Sequence, residues 1–117
     1  MKTVEKVWGK EVWIHNDEKY CMKELTLNKG FQCSLHQHKL KTETFYIVSG
    51  SMDIEYGIGT DENMLCTKTM TVGQYHHVCI GHWHRFKATH QDCMFIECST
   101  QHFEEDSYRK DPSGVLK

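Results

Sequence analysis

The stretch Gly30-Phe31-Gln32-Cys33-Ser34-Leu35-His36-Gln37-His38-Lys39-Leu40-Lys41-Thr42-Glu43-Thr44-Phe45-Tyr46-Ile47-Val48-Ser49-Gly50 decides how the chain is read. Its fixed points are Gly30, His36, His38, Glu43 and Gly50. Side chains on a β-strand alternate between faces, so His36 and His38 project from one face, with Ser34 beside them. About one hairpin later a second frame follows, Gly73, Gly81 and His84. His36, His38, Glu43 and His84 together offer three imidazoles and a carboxylate, a ligand set for one divalent metal. Nitrogen and oxygen donors in this mixture suit zinc, manganese, iron, nickel or cobalt better than calcium, which prefers oxygen alone.

Outward from this stretch the chain shows short alternating runs broken by glycine and polar clusters, with no sustained helical period. Strands are expected over 11–16, 20–27, 32–38, 44–49, 51–56, 64–70, 74–79, 84–88 and 94–99. Turns are expected at Asn28-Lys29-Gly30, Ser49-Gly50, 57–63, Thr71-Val72-Gly73, Ile80-Gly81 and His90-Gln91-Asp92. Many short strands at this spacing describe an all-β antiparallel sandwich or barrel. No repeat or linker interrupts it, so residues 1–117 read as a single domain. Residues 104–117 form a charged tail that carries the only proline, Pro112, and its last residues are expected to be loose.

Alternation also assigns faces. Lys23 shares a face with Leu25 and Leu27, the side expected to be buried, where a lysine needs an anion or a place near the mouth. His84 shares a face with Phe86 and Ala88, again the inner side. If the sheet closes on itself, the four ligands converge on one cavity from different strands. His76, His77, His82, His90 and His102 are read as outside the ligand set. Trp8 and Trp13 are read as core or interface residues.

Composition narrows the partners. The chain has 117 residues, 14 Lys and Arg against 16 Asp and Glu, and a formal charge of -2. That balance gives no reason to expect nucleic acid or an anionic membrane. No segment approaches the roughly 18 to 20 apolar residues of a spanning helix, and the first residues lack the apolar run of a signal peptide. A soluble, cytoplasmic protein is therefore expected. Its six cysteines contain no Cys-x-x-Cys pair and read as free thiols.

The two frames resemble the paired motifs of the cupin superfamily. The first matches at every fixed position. The second keeps Gly73, Gly81 and His84 but has Cys79 where proline is usual and Ala88 where asparagine is usual, and neither departure removes a ligand. The resemblance narrows toward the cupin domain of type II mannose-6-phosphate isomerase. It runs through Val7-Trp8-Gly9-Lys10-Glu11, Tyr20-Cys21-Met22-Lys23, Ser34 to Gly50, Ile96-Glu97-Cys98-Ser99-Thr100 and Glu105-Asp106-Ser107-Tyr108-Arg109. Val7 replaces the usual proline, and His36 stands where those domains often carry glutamine. The ending Ser99-Thr100-Gln101-His102-Phe103 through Arg109 is similar to that of small cupins found beside sugar-activation enzymes.

The resemblance implies a cupin double-stranded β-helix, a jelly-roll barrel, holding one divalent transition metal on His36, His38, Glu43 and His84. The activity it implies is a sugar or sugar-phosphate isomerase or epimerase working through a metal-stabilised enediolate. Glu97 and Lys23 are then the catalytic candidates, and Lys23 and Arg109 the groups that bind an anionic substrate end. A non-catalytic sugar-binding cupin and a metal-dependent dioxygenase remain as alternatives, so catalysis itself is left open. A homodimer is expected, because small barrels leave edge strands that need covering.

Overall fold

The computed structural model describes residues 1–59 and 64–116; most of the turn expected at 57–63 lies outside them. The strands are β1 (Lys2–Lys6), β2 (Gly9–Asn16), β3 (Cys21–Leu27), β4 (Phe31–Gln32), β5 (Leu35–Gln37), β6 (Glu43–Gly57), β7 (Leu65–Thr71), β8 (Tyr75–Val78), β9 (Trp83–Lys87), β10 (Cys93–Ser99), β11 (Tyr108–Asp111) and β12 (Gly114–Val115). A 3-10 turn at Glu104–Asp106 precedes β11. All strand pairings are antiparallel. One sheet runs β1-β2-β3-β10-β6-β8. The other runs β7-β6-β9 and continues into the short pairs β4 with β12 and β5 with β11. The architecture is the expected all-β jelly-roll barrel.

Alternation explains the inside. Cys21, Lys23, Leu25 and Leu27 of β3 are buried in turn while their neighbours are half-buried. Phe45, Ile47 and Ile54 from β6, Phe86 from β9 and Phe95 from β10 close the core with Leu25 and Leu27. Phe45, Phe86 and Phe95 meet edge to face, with ring centroids 4.9 to 5.8 Å apart. This is an arrangement aromatic quadrupoles favour.

Three expectations are corrected. Ser49-Gly50 is not a turn: β6 runs unbroken through it, its first half pairing with β10 and β8 and its second with β7 and β9. Opposite Met94 and Phe95, the partners on β6 are Ser49 and Ile47, so Val48 is an extra, bulged residue. Gly50 takes φ 75°, which a side chain would resist, and lies so close to β10 that a Cβ would stand 1.9 Å from the Asp92 carbonyl oxygen. Glycine here serves a close approach of two strands rather than a hairpin.

The strand expected over 32–38 is two, β4 and β5, because Cys33 and Ser34 leave the ladder. As far as it is described, to Leu116, the charged tail is not loose: β11 pairs with β5 and β12 with β4. Its charges lie outward along β11, where all four residues are exposed, so composition hid a strand held by its backbone. The sequence reading also omitted β1, which pairs along its full length with β2. No helix among the described residues is long and apolar enough to cross a membrane.

Candidate metal centre

Strand pairing assembles the ligands. β5 and β9 meet with His36 directly opposite His84, their ring centroids 4.2 Å apart. His38 follows β5 by one residue, and Glu43 opens β6. One ligand atom from each of His36, His38, Glu43 and His84 falls within 4.8 Å of all the others. Glu43 Oε1 lies 2.8 Å from His84 Nε2 and 3.4 Å from His38 Nε2. All four residues are buried or half-buried.

The protonation states suit a cation. His36 Nδ1 lies 2.8 Å from the Ser34 carbonyl oxygen and His38 Nδ1 lies 2.6 Å from that of Asp106. A carbonyl only accepts, so both Nδ1 atoms carry the proton and both Nε2 atoms are left as lone-pair donors. Burial, followed by the neighbouring His84 and His38, holds His36 well below the usual imidazole range. Burial also lowers His38, against the pull of Glu43. Burial pushes the Glu43 carboxyl up, but His84 and Lys41 outweigh it and hold the group well below the ordinary carboxylate range. Neutral His36 and His38 therefore face an ionised Glu43.

Fit to a metal is tested by what these atoms lack. Glu43 Oε1 and both ring nitrogens of His84 are buried, and although Oε1 stands 2.8 Å from His84 Nε2, none makes a well-directed hydrogen bond among the described residues. Buried polar atoms are nearly always satisfied, and each orphan costs about 1–3 kcal/mol. A divalent ion held by His36, His38, Glu43 and His84 would satisfy Glu43 Oε1 and one nitrogen of His84. The donor set fits.

A polar file leads away from the ligands. Lys41, 2% exposed, donates from Nζ to Glu97 Oε2 at 3.1 Å and to His102 Nδ1 at 2.9 Å, and stands 3.3 Å from Glu43 Oε2. Burial alone would lower the Lys41 ammonium, but Glu97 and Glu43 overcome it and raise the group above its ordinary value. His102 accepts from a lysine, so it is neutral; burial and the charges of Lys41 and Lys23 bring it down to about 3. Neither Lys41 nor His102 was a candidate on sequence. Lys41 lies in an irregular loop where alternation says nothing, and its partner Glu97 is 56 residues away.

The other candidates are brought to the same cavity. Its volume is about 330 Å³, and Lys23, Glu97 and Arg109 line it with the ligands His36, His38 and Glu43. Lys23 is opposite Glu97 in the β3–β10 register, but its charge goes elsewhere. Its Nζ is 3.7 Å from Glu11 Oε1 and 4.1 Å from the centre of the Trp13 ring. Trp13 Nε1 donates to the same Glu11 oxygen at 2.9 Å. Trp13 thus faces the cavity. Arg109 sits opposite His36 in the β11–β5 register and is exposed at the rim.

Comparison with known proteins follows from this geometry. No curated protein sequence matches the chain. Solved structures do match. CapF from Staphylococcus aureus, a capsular polysaccharide assembling protein, superposes with a TM-score of 0.80 at 16% identity, covering 94% of this chain and 34% of that one. The Lactobacillus farciminis oxalate decarboxylase formate complex gives 0.78 at 16% identity, covering 92% and 33%. The Bacillus subtilis oxalate decarboxylase, in a structure concerned with its Mn(II) centres, gives 0.77 at 16%, covering 93% and 30%. The chain thus spans about a third of the length of the structures it matches, and at this identity the likeness shows the fold. A model of the cupin family matches residues 3–117. The chain belongs to the cupin family.

Proposed function

We propose that the protein holds one divalent transition metal on His36, His38, Glu43 and His84 and isomerises or epimerises a sugar or sugar phosphate in the adjoining cavity. The observation that carries this reading is the convergence of His36, His38, Glu43 and His84, with buried atoms of Glu43 and His84 lacking a hydrogen bond, beside a cavity lined by both charged signs. When bound, the metal supplies a Lewis acid that polarises a substrate carbonyl and stabilises an enediolate. Glu97, which lines the cavity, is the carboxylate this reading assigns to moving a proton between adjacent carbons. Lys23 and Lys41 are neutralised by Glu11, Glu43 and Glu97. The lining cations without a carboxylate partner among the described residues are Lys2, Lys6 and Arg109. Arg109 at the rim receives the anionic end of the substrate, with Lys23 buried deeper in the cavity and already engaged by Glu11. The carbohydrate assignment draws support from CapF, which is described as assembling a capsular polysaccharide.

The test is isomerisation of aldose and ketose phosphates by metal-loaded protein in deuterated water, followed by NMR. Deuterium incorporation beside the carbonyl with interconversion is expected. If every pentose and hexose phosphate is left unchanged, the isomerase reading fails.

One observation favours a second reading, a sugar-binding cupin without catalysis. Glu97 is engaged by Lys41 and accepts from Ser99 Oγ at 3.3 Å, so its basicity is spent before substrate arrives. Ligand-induced thermal stabilisation without turnover would support it. A homodimer belongs to the same proposal, supported by the open edge at β1 and the exposed Tyr46, Val48 and Tyr75; light scattering giving a monomer would sink it. Six free cysteines support a cytoplasmic location.

A further inference from the structure

The ligand set leaves Lys41 without a role, although it is among the most deeply buried charges in the protein. An ammonium has three N–H donors, and Lys41 has three acceptors around it, on Glu97, His102 and Glu43. None is left for substrate. The ammonium is also fixed from behind, since His102 packs edge-on against Trp13 with centroids 5.0 Å apart.

We propose that Lys41 is a positioning residue that restricts Glu43 to one-oxygen ligation and keeps Glu97 out of the ligand set. The inference rests on the metal reading above. Glu43 presents its two oxygens to different partners: Oε2 to Lys41, Oε1 to His38 and His84. A carboxylate that chelates through both oxygens needs both free, and the ammonium occupies one. Glu97 is a second interior carboxylate whose Oε2 lies 3.1 Å from the same Nζ. Without a cation between them, the two carboxylates would repel, and a divalent ion would draw Glu97 toward itself. Lys41 satisfies Glu97 in place and so keeps an interior acid beside the metal rather than on it. An ordinary structural ion pair would affect stability alone, whereas this arrangement governs what the metal experiences.

Cobalt(II) is the probe, added to chelator-treated full-length protein and followed by visible absorption and calorimetric titration. Lys41→Met should bind cobalt(II) about tenfold tighter, because a cation is removed and a second carboxylate enters, with a changed visible spectrum. Adding Glu97→Gln to that variant should return the affinity toward wild type. Glu97→Gln alone should leave the wild-type spectrum, since the Lys41–Glu43 contact survives. If Lys41→Met does not fold by near-ultraviolet circular dichroism, Lys41→Gln, which keeps hydrogen bonding but lacks charge, is expected to show the same shift. Unchanged or weaker affinity in the folded variant overturns the proposal while leaving the metal site standing. Failure of the wild type to bind cobalt(II) overturns the metal reading and this inference with it.

Discussion

The carbonyl oxygen of Asp106 accepts the Nδ1 proton of His38 at 2.6 Å, across a sequence separation of 68, so the C-terminal segment sets the tautomer of a candidate metal ligand. The carboxylate of the same residue accepts from the backbone amides of Lys39 at 2.9 Å and Leu40 at 3.1 Å. Asp106 therefore holds both the ligand and the loop that carries it.

Asp106→Ala removes a buried carboxylate that accepts from the backbone amides of Lys39 and Leu40. A loss of about 1–3 kcal/mol is expected by urea denaturation. Metal affinity should fall about 10- to 100-fold, because His38 loses its orientation. Zinc titration of the folded variant checks this; unchanged affinity would mean that the backbone alone orients His38.

His84→Ala removes the ligand whose two ring nitrogens are both unsatisfied. Protein purified without chelator should carry about one metal per chain in the wild type and none in the variant, by mass spectrometry. Added metal should raise the melting temperature of the wild type and leave the variant where it was.

Acid should destabilise the metal-free protein before its carboxylates titrate. Burial, aided by the charge of Lys68, lowers His76 to about 4, and burial with Lys41 lowers His102 to about 3. An unfolded histidine titrates near 6.5. Between that value and about 4 the unfolded state binds more protons than the native state, so stability falls as pH drops through this window. Urea midpoints at successive pH values test it. His76→Phe, which keeps a ring against Tyr56, should flatten the slope, and an unaltered slope would remove His76 from the account.

Gly50→Ala and Gly73→Ala separate two costs of a side chain. Both glycines have positive φ, 75° and 86°. An added Cβ at Gly73 meets nothing within 4 Å, so only backbone strain opposes it, about 1 kcal/mol. At Gly50 the Cβ would collide with the Asp92 carbonyl, so β10 must also move. Thermal denaturation should place Gly50→Ala well below Gly73→Ala; equal midpoints would show that β10 yields freely.

What the sequence made legible follows from periodicity. His36, His38, Glu43 and His84 were readable because strand alternation and a fixed frame place them on inner faces, and the burial of Lys23 with Leu25 and Leu27 followed the same rule. Gly50 was misread because a hairpin and a close strand approach can both call for glycine at a positive φ, and only the partner strand tells them apart. The strand at Tyr108–Asp111 was hidden by its exposed charges, since its pairing with β5 is made by backbone atoms common to any residue. Lys41, His102 and Asp106 act through contacts that join distant parts of the chain at irregular segments, where no period exists to be read.

The strand from Glu43 to Gly57 belongs to both sheets, and this makes it a tie-rod between the two halves of the barrel. Neither sheet can melt alone, because losing either set of pairings strips one end of the same rod. The amides of Ile47 and Ile54, one in each half, should therefore exchange with solvent only through the same global opening. Glu43, the candidate ligand at the head of that rod, should move only when the whole barrel does.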